Sequence, residues 1–289
     1  SFGSKVVIQQ VLTSSGEPVE EILSSSENQQ IPPLTGPAPI DSLPPIESQL
    51  IGWVSFGCPA QENGAGKQVS GVGREWGFCR AVTPVKDQAV CGSCWSFATT
   101  GALEGALFLK TGMLTPLSQQ ILIDCSWGFG NHACDGGQEP QAFEWIMKHG
   151  GIATAEAYGP YMGQNGYCHY NQSELIAPIA GFIAITSQNT TDLKAALYKH
   201  GPIAVNIDAS HKSFAFYSNG IYYEPNCGNT TMELDHAVLA VGYGDLQGEP
   251  YWLIKNSWST YWGNDGYILM SMKENNCGVT SSATYPILA

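Results

Sequence analysis

Basic residues are scarce in this 289-residue chain, which carries 12 Lys and Arg against 25 Asp and Glu and a formal net charge of −13. Proteins that bind a phosphate backbone or anionic lipid carry clustered positive charge instead. No run approaches the roughly 20 apolar residues that span a bilayer, and the amino terminus lacks a basic flank followed by an apolar run. The sequence therefore argues against nucleic-acid and membrane partners.

Periodic apolar residues are also missing from the first 73 positions, where Ser, Gln, Glu, Pro and Gly dominate. No Lys or Arg occurs between Lys5 and Lys67. Such a segment cannot bury enough apolar surface to offset the entropy of ordering the chain. We expect residues 1–73 to be a low-complexity, largely disordered leader or the remnant of a propeptide, and the packed domain to begin at about residue 74.

The cysteine count is odd, so at least one thiol has no intramolecular partner. Three Asn-x-Ser/Thr triplets, at Asn171, Asn189 and Asn229, would accept glycans along the secretory route, where the other cysteines tend to pair. The nine cysteines are Cys58, Cys79, Cys91, Cys94, Cys125, Cys134, Cys168, Cys227 and Cys277.

The apolar pattern changes midway along the chain. Small and apolar residues at helical spacing predict a buried helix from Cys94 to Lys110, and two more helices are predicted over 118–125, capped by Ser118, and 139–149. After residue 177 the runs are short and β-rich, except for a helix at about 191–201. We therefore predict an α+β fold with helices first and an antiparallel sheet or small barrel second. The predicted strands cover 179–186, 202–208, 220–223, 236–244, 251–258 and 266–270.

The run Cys-Gly-Ser-Cys-Trp at 91–95 places Cys94 where the first helix begins. A thiol reacts as thiolate, and the unpaired backbone N–H groups and dipole of a helix start favour that charge. The same run could be half of a zinc site, but no second C-x₂-C or H-x₃₋₅-H lies at ligand spacing. The pattern therefore favours a nucleophile over a metal ligand.

From about Arg74 to its end the chain resembles the papain-like cysteine proteases, in particular their cathepsin L branch, and it looks like the haemocyte cysteine proteases of insects. Cys-Gly-Ser-Cys-Trp is a signature of such enzymes. The matching motifs are AVTPVKDQAVCGSCWSF at 81–97, LSQQILIDCS at 117–126, CDGG at 134–137, LDHAVLAVGYG at 234–244 and YWLIKNSWSTYWGNDGYILM at 251–270.

The resemblance implies a peptidase domain over 74–289, with a helical left half over about 90–175, a β-barrel right half over about 176–289 and the active-site cleft between them. It implies a cysteine endopeptidase that acts through an acyl-enzyme and needs no cofactor. Protein and peptide substrates are the implied partners, together with cystatin-like inhibitors. The implied location is lysosomal or extracellular.

The resemblance also implies catalytic roles. Cys94 and His236 would form a thiolate–imidazolium pair, and His236 lies 142 residues downstream, as the signature expects. Asn256 would accept a hydrogen bond from the other ring nitrogen, and Trp258 would cover that bond from water. Gln88 would donate its side-chain amide to the oxyanion of the tetrahedral intermediate.

Substrate-binding positions follow from the same resemblance. Gly136 and Gly137 would let an extended substrate backbone approach closely, since no Cβ intervenes. Leu234 and Asp235 would line the cleft wall. The family's specificity pocket, which is often apolar, maps onto Gln138, Glu139, Leu234, Asn206 and Ser282, and we expect a more polar pocket that tolerates varied residues.

The resemblance pairs six cysteines and leaves Cys94 free. The resemblance does not assign Cys58 and Cys79, which could bond each other, remain reduced or belong to a misjoined segment. The implied disulfides are Cys91–Cys134, Cys125–Cys168 and Cys227–Cys277.

Two other functions fit the same fold. A noncatalytic binding or scaffold protein is the main alternative, but it would more naturally have lost the nucleophile, and Cys94 is present. Acyl transfer by the same residues would need a means of selecting an acceptor that the sequence does not reveal.

Overall fold

The structure is a computed structural model that describes residues 81–289 together with the backbone of Val11–Leu12. Helices dominate up to about residue 175 and strands predominate afterwards, so the predicted α+β order is confirmed. The expectations for the rest of the leader, and for Cys58 and Cys79, lie outside the described residues.

The predicted helices form close to their expected bounds. Ser118 caps the second helix by accepting a hydrogen bond from the backbone N–H of Ile121, and Gly112 ends the first helix with a φ of 74° that suits glycine. The α-helices are α1 Cys94–Thr111, α2 Gln119–Cys125, α3 Glu139–His149, α4 Ala155–Tyr158, α5 Thr190–His200 and α6 Lys212–Ala215.

In the part of the chain that the structure describes, eight strands form one sheet in the order β1-β4-β10-β5-β7-β8-β9-β6, and β2 and β3 form a separate pair. Every strand pairing among these residues is antiparallel except that of β6 with β9. The last strand, β10, was not predicted from the sequence. The strands are β1 Val11–Leu12, β2 Ile152–Ala153, β3 Leu175–Ile176, β4 Ile179–Ala184, β5 Ile203–Ile207, β6 Ile221–Tyr222, β7 His236–Leu246, β8 Glu249–Lys255, β9 Tyr267–Ser271 and β10 Ala283–Leu288.

Helix α1 lies directly against the sheet because two of its residues lack a side chain. A Cβ added to Gly101 would stand 2.7 Å from Cδ2 of Leu239 on β7. One added to Gly105 would stand 2.5 Å from Cδ of Pro202. Cβ atoms do not approach so closely, so these glycines set the distance of the helix that starts at Cys94 from β7 and from Pro202, the residue before β5.

A buried polar cluster joins helix α1 to strand β8. Glu104 accepts hydrogen bonds from Thr83 Oγ1 at 2.6 Å and from the backbone N–H of Leu117 at 2.9 Å, and it pairs with Lys86 at 3.3 Å. Lys255 donates to the backbone oxygen of Thr83 at 2.7 Å, and burial lowers its pKa to about 7. Every oxygen and ammonium in this cluster has a partner, which is what allows charged groups to stay buried.

Within residues 81–289 three disulfides cross-link the fold, and they are the pairs that the resemblance implies. Two lie in the helical half and one in the strand half, namely Cys91–Cys134, Cys125–Cys168 and Cys227–Cys277. Within the described part of the chain, no helix has the length and apolar character needed to cross a bilayer.

Candidate active site

Cys94 is the first residue of helix α1, and its thiol is half-buried. Within residues 81–289 it is the one cysteine outside a disulfide. The Cys91–Cys134 bond and a hydrogen bond of 2.8 Å from Gly92 N to Cys134 O fix the segment that precedes it. The first turn carries no acidic side chain and Ser93 makes no side-chain cap, so the helix start favours negative charge at the sulfur.

His236 and Asn256 meet because β7 and β8 are antiparallel neighbours. His236 Nε2 lies 2.8 Å from Asn256 Oδ1, and the same oxygen accepts from the backbone N–H of Ser257 at 2.8 Å. A backbone N–H can only donate, so the amide oxygen faces the ring and Nε2 carries the hydrogen. The rings of Trp258 and Phe214 cover this bond, with centroids 4.8 and 6.4 Å from that of His236.

The thiol and the imidazole each prefer to be neutral when taken singly. Burial raises the pKa of Cys94 to about 11, against the lowering effect of a hydrogen bond from the backbone N–H of Ala237. Burial also lowers the pKa of His236, against the hydrogen bond to Asn256. Ala237 directly follows His236, so the sulfur lies beside the start of β7. Charges can therefore arise on both groups only together, because the attraction between adjacent opposite charges must replace their lost hydration.

The side chain of Gln88 is buried and fixed at both ends. Its Oε1 accepts from the hydroxyl of Ser257 at 2.6 Å, and its Nε2 donates to the backbone oxygen of Cys91 at 2.9 Å. The amide nitrogen has a second hydrogen that remains available. Sequence reasoning missed the role of Ser257, although its position directly after Asn256 in the Asn-Ser-Trp run was a usable signal.

Gly136 and Gly137, the two predicted substrate-contact glycines, have different surroundings. Gly136 has a φ of 118°, and a Cβ there would meet open space, so its backbone faces an unobstructed region. A Cβ on Gly137 would stand 2.7 Å from the Trp95 ring. Gly136 is thus the glycine that leaves room for a ligand backbone, whereas packing requires Gly137.

Asp235 and Leu234 lie just before the histidine. Asp235 is exposed, and its Oδ1 accepts from the backbone N–H of Ala209 at 2.8 Å. Leu234 is half-buried against Gly278, where an added Cβ would stand 2.5 Å from Leu234 Cδ2. Both positions therefore belong to the surface beside His236.

Three of the predicted pocket positions form one polar cluster. Glu139 is 1% exposed, and its Oε2 accepts from Asn206 Nδ2 at 3.2 Å. The same nitrogen lies 3.4 Å from the hydroxyl of Ser282. Glu139 Oε1 has no hydrogen-bond partner among the described residues, and burial raises the pKa of this carboxyl to about 7. A carboxyl this deeply buried favours its protonated form.

The glycan acceptor candidates differ in how free their side chains are. Asn171 is exposed, while Asn189 caps helix α5 through its oxygen. Asn229 uses its amide nitrogen, the atom that a glycan would occupy, in a 3.3 Å bond to the backbone oxygen of Glu274. Asn171 is therefore the most accessible of the three.

One cluster has the composition of a metal site. Ligand atoms of Asp208, His211 and Cys227 lie within 4.8 Å of one another. Cys227 is bonded to Cys277, and a disulfide sulfur is not a thiolate ligand. Asp208 already accepts hydrogen bonds from Gly228 N and the Ser210 hydroxyl. This cluster stabilises a loop and does not form a metal site.

Comparison with known proteins matches residues 74–287 to the family described as papain family cysteine protease. Digestive cysteine proteinase 2 of Homarus americanus is 50% identical over 215 residues, which are 74% of this chain and 66% of that protein. Cathepsin L-like peptidase of Aedes aegypti is 50% identical over 216 residues, or 74% and 63% of the two chains. The chain thus spans slightly less than two thirds of these relatives.

Solved structures give the same match. Digestive procathepsin L 3 from the larval midgut of Tenebrio molitor superposes with a TM-score of 0.69 at 45% identity, over 72% of this chain and 67% of that one.

Proposed function

The chain belongs to the papain family of cysteine proteases, and from this premise we propose that it is a cysteine endopeptidase that hydrolyses peptide bonds in proteins. The observation that carries the proposal is an unpaired thiol, Cys94, at the start of a helix that packs against the strand beginning with His236. The ring of that histidine is fixed by Asn256 at 2.8 Å. A thiol, a base and a residue that orients the base are the parts that nucleophilic catalysis needs.

The reaction begins with transfer of the Cys94 proton to Nδ1 of His236, the ring nitrogen that Asn256 does not engage. The thiolate attacks the carbonyl carbon, and the carbonyl π electrons move to the oxygen. As the carbon–nitrogen bond breaks, His236 gives its proton to the leaving amine and a thioester remains on Cys94. Water, deprotonated by the same imidazole, then attacks the thioester and releases the acid and the thiol.

The oxyanion of each tetrahedral intermediate would accept hydrogen bonds from the free N–H of the Gln88 amide and from the backbone N–H of Cys94. Removal of one such donor costs on the order of 3 kcal/mol in other enzymes. Ser257 supports this role because its hydroxyl donates a hydrogen bond to Oε1 of Gln88, which orients the amide so that Nε2 can donate to the oxyanion.

Extended peptide is the proposed substrate class, with its backbone lying along the open face at Gly136. The Glu139–Asn206–Ser282 cluster is polar, and we propose that together with Leu234 it lines a specificity pocket that tolerates varied side chains. Cleavage of a peptide library would test this, and strict selection of Leu or Phe at one position would contradict it.

A lysosomal or extracellular location is proposed from the three disulfides, which form in oxidising compartments. Cystatin-like inhibitors are proposed partners, since they act on enzymes of this kind. Secretion of the full-length protein by cultured cells, with a shift in mass after glycosidase treatment, would support this location. Recovery of an unglycosylated protein with reduced cysteines would contradict it.

An epoxide inhibitor of thiol proteases tests the activity directly. We expect one adduct, located at Cys94 by peptide mass mapping, and loss of hydrolysis of a protein substrate in step with labelling. Cys94→Ser should abolish both, and His236→Ala should abolish hydrolysis, whereas His132→Ala at an exposed histidine serves as the matched control.

The noncatalytic alternative predicts a different result. A scaffold protein would bind peptide without cleaving it, and Cys94→Ser would leave that binding intact. The two curated relatives named above are a proteinase and a peptidase, which supports the catalytic proposal.

A further inference from the structure

Tyr161 lies behind the oxyanion region and touches both segments that would supply its donors. Its hydroxyl lies 2.8 Å from the backbone oxygen of Gln88 and 2.8 Å from the hydroxyl of Ser93. Gln88 carries the side-chain donor, and Ser93 immediately precedes the backbone N–H of Cys94. One phenol therefore joins two segments that are also linked through Cys91, whose backbone oxygen accepts from Gln88 Nε2 at 2.9 Å and from Ser93 N at 2.8 Å.

The direction of these hydrogen bonds can be assigned. A backbone carbonyl can only accept, so the phenol hydrogen goes to Gln88, and the Ser93 hydroxyl must donate to the phenol oxygen. Burial raises the pKa of Tyr161, so the phenol keeps the hydrogen that this arrangement needs. Ser93 is fully buried, and this is the one hydrogen bond that its hydroxyl makes to a side chain among the described residues.

The backbone carbonyl of Gln88 has little other support, although the Gln88 side chain is bonded to Ser257 and Cys91 and its backbone N–H donates to the Ser257 oxygen at 2.8 Å. The carbonyl of Gln88 receives only a long bond of 3.4 Å from the backbone N–H of Cys91 besides the phenol. The next residue, Ala89, has a φ of 55°, a conformation that residues with a side chain rarely adopt. The ring of Phe97 packs edge-on against Tyr161 with centroids 5.1 Å apart, which fixes the phenol in place.

We propose that Tyr161 is a positioning residue that aligns the Gln88 amide with the Cys94 backbone N–H as the two oxyanion donors. It does not touch the reacting atoms and acts through the carbonyl of Gln88 and the hydroxyl of Ser93. The inference rests on the proposed peptide-bond hydrolysis and explains how its two oxyanion donors are held in position.

A double-mutant cycle tests the inference. Tyr161→Phe in the full chain should lower kcat about tenfold with KM within about twofold, because a misplaced oxyanion donor weakens binding of the transition state only. In a Gln88→Ala background the same substitution should lower kcat by less than about twofold, since only the Cys94 backbone N–H is then left to align and the start of helix α1 also holds it. Tyr158→Phe, which removes a phenol bonded to Asp124 at 2.8 Å, is the matched control and should leave kcat unchanged.

A second readout separates positioning from general damage. Affinity for a peptide aldehyde, whose hemithioacetal oxygen occupies the oxyanion position, should fall about tenfold in Tyr161→Phe. The rate of alkylation of Cys94 by iodoacetamide needs no oxyanion donor and should stay unchanged.

Two results would overturn the inference. The first is a fall in kcat of more than about threefold on adding Tyr161→Phe to Gln88→Ala, because the effects would then be independent. The second is an unchanged kcat or aldehyde affinity in Tyr161→Phe alone. If the unsubstituted chain does not hydrolyse protein, the proposed function fails instead, so the two failures are distinguishable.

Discussion

Glu139 should make the folded protein less stable at neutral pH than in acid. The carboxyl is 1% exposed, one of its oxygens has no hydrogen-bond partner among the described residues, and burial raises its pKa to about 7 from a usual value of 4.5. Because the unfolded chain releases this proton first, stability is full below about pH 4.5 and falls as the pH rises to about 7. Glu139→Gln removes the titration while keeping the shape of the side chain.

The magnitude follows from the shift. A difference of about 2.5 pKa units at about 1.4 kcal/mol per unit is on the order of 3 kcal/mol of unfolding free energy. Domains are stable by only about 5–15 kcal/mol, so this one carboxyl would weaken the fold measurably at neutral pH. A constant offset from the unpaired amide hydrogens of the new glutamine does not change with pH and cancels when differences are compared.

The assay is urea unfolding at several pH values between about 4 and 8, in a Cys94→Ser background that prevents self-digestion. Relative to its parent, Glu139→Gln should gain about 3 kcal/mol on going from the acidic to the neutral end of the range. Glu144→Gln changes an exposed carboxyl on the same helix and serves as the control. A difference between Glu139→Gln and its parent that stays within about 1 kcal/mol over the whole range would refute the reasoning.

Three further predictions concern the thiol, the cleft and the core. His236→Ala should move the pH profile of Cys94 alkylation upward toward a pKa of about 11, which burial raises above its usual value, and an unchanged rate at pH 6 would contradict the paired charges. Gly136→Val should raise KM for a peptide substrate by about tenfold or more, since its φ of 118° excludes a branched side chain and its open face would be filled; an unaltered KM would count against substrate binding there. Glu104→Ala should cost about 3 kcal/mol or more in urea unfolding, because the buried N–H of Leu117 and the hydroxyl of Thr83 lose their acceptor, and a loss below about 1 kcal/mol would show that water takes its place.

The helices could be predicted from sequence because their signals are local. Ser118 caps α2 and Gly150 ends α3 in a left-handed conformation, as their residue types indicate. Strand β10 was not predicted, and it contains Pro286, a residue type that is unfavourable in a central strand. In the structure β10 pairs with β5 only at Ala283 and Thr284, so Pro286 lies where that side of the strand is unpaired.

The site could be predicted only where a motif carries it. Cys94, His236 and Asn256 stand in recognisable runs, and the structure brings the last two within 2.8 Å. The bond between Ser257 and Gln88 spans 169 residues and has no local signal. Burial of Glu139 could not be predicted, because an acidic residue in the first turn of a helix is usually exposed to solvent, where it interacts favourably with the helix dipole.

Gly101 lies about two helical turns beyond Cys94, yet the backbone spacing it permits reaches the chemistry. A methyl group at this position would stand 2.7 Å from Cδ2 of Leu239, in the strand that begins with His236, so either that side chain or the helix carrying the nucleophile must move. Saturation mutagenesis should therefore show lower activity for large side chains at this core glycine. Inspection of the substrate groove alone would overlook it.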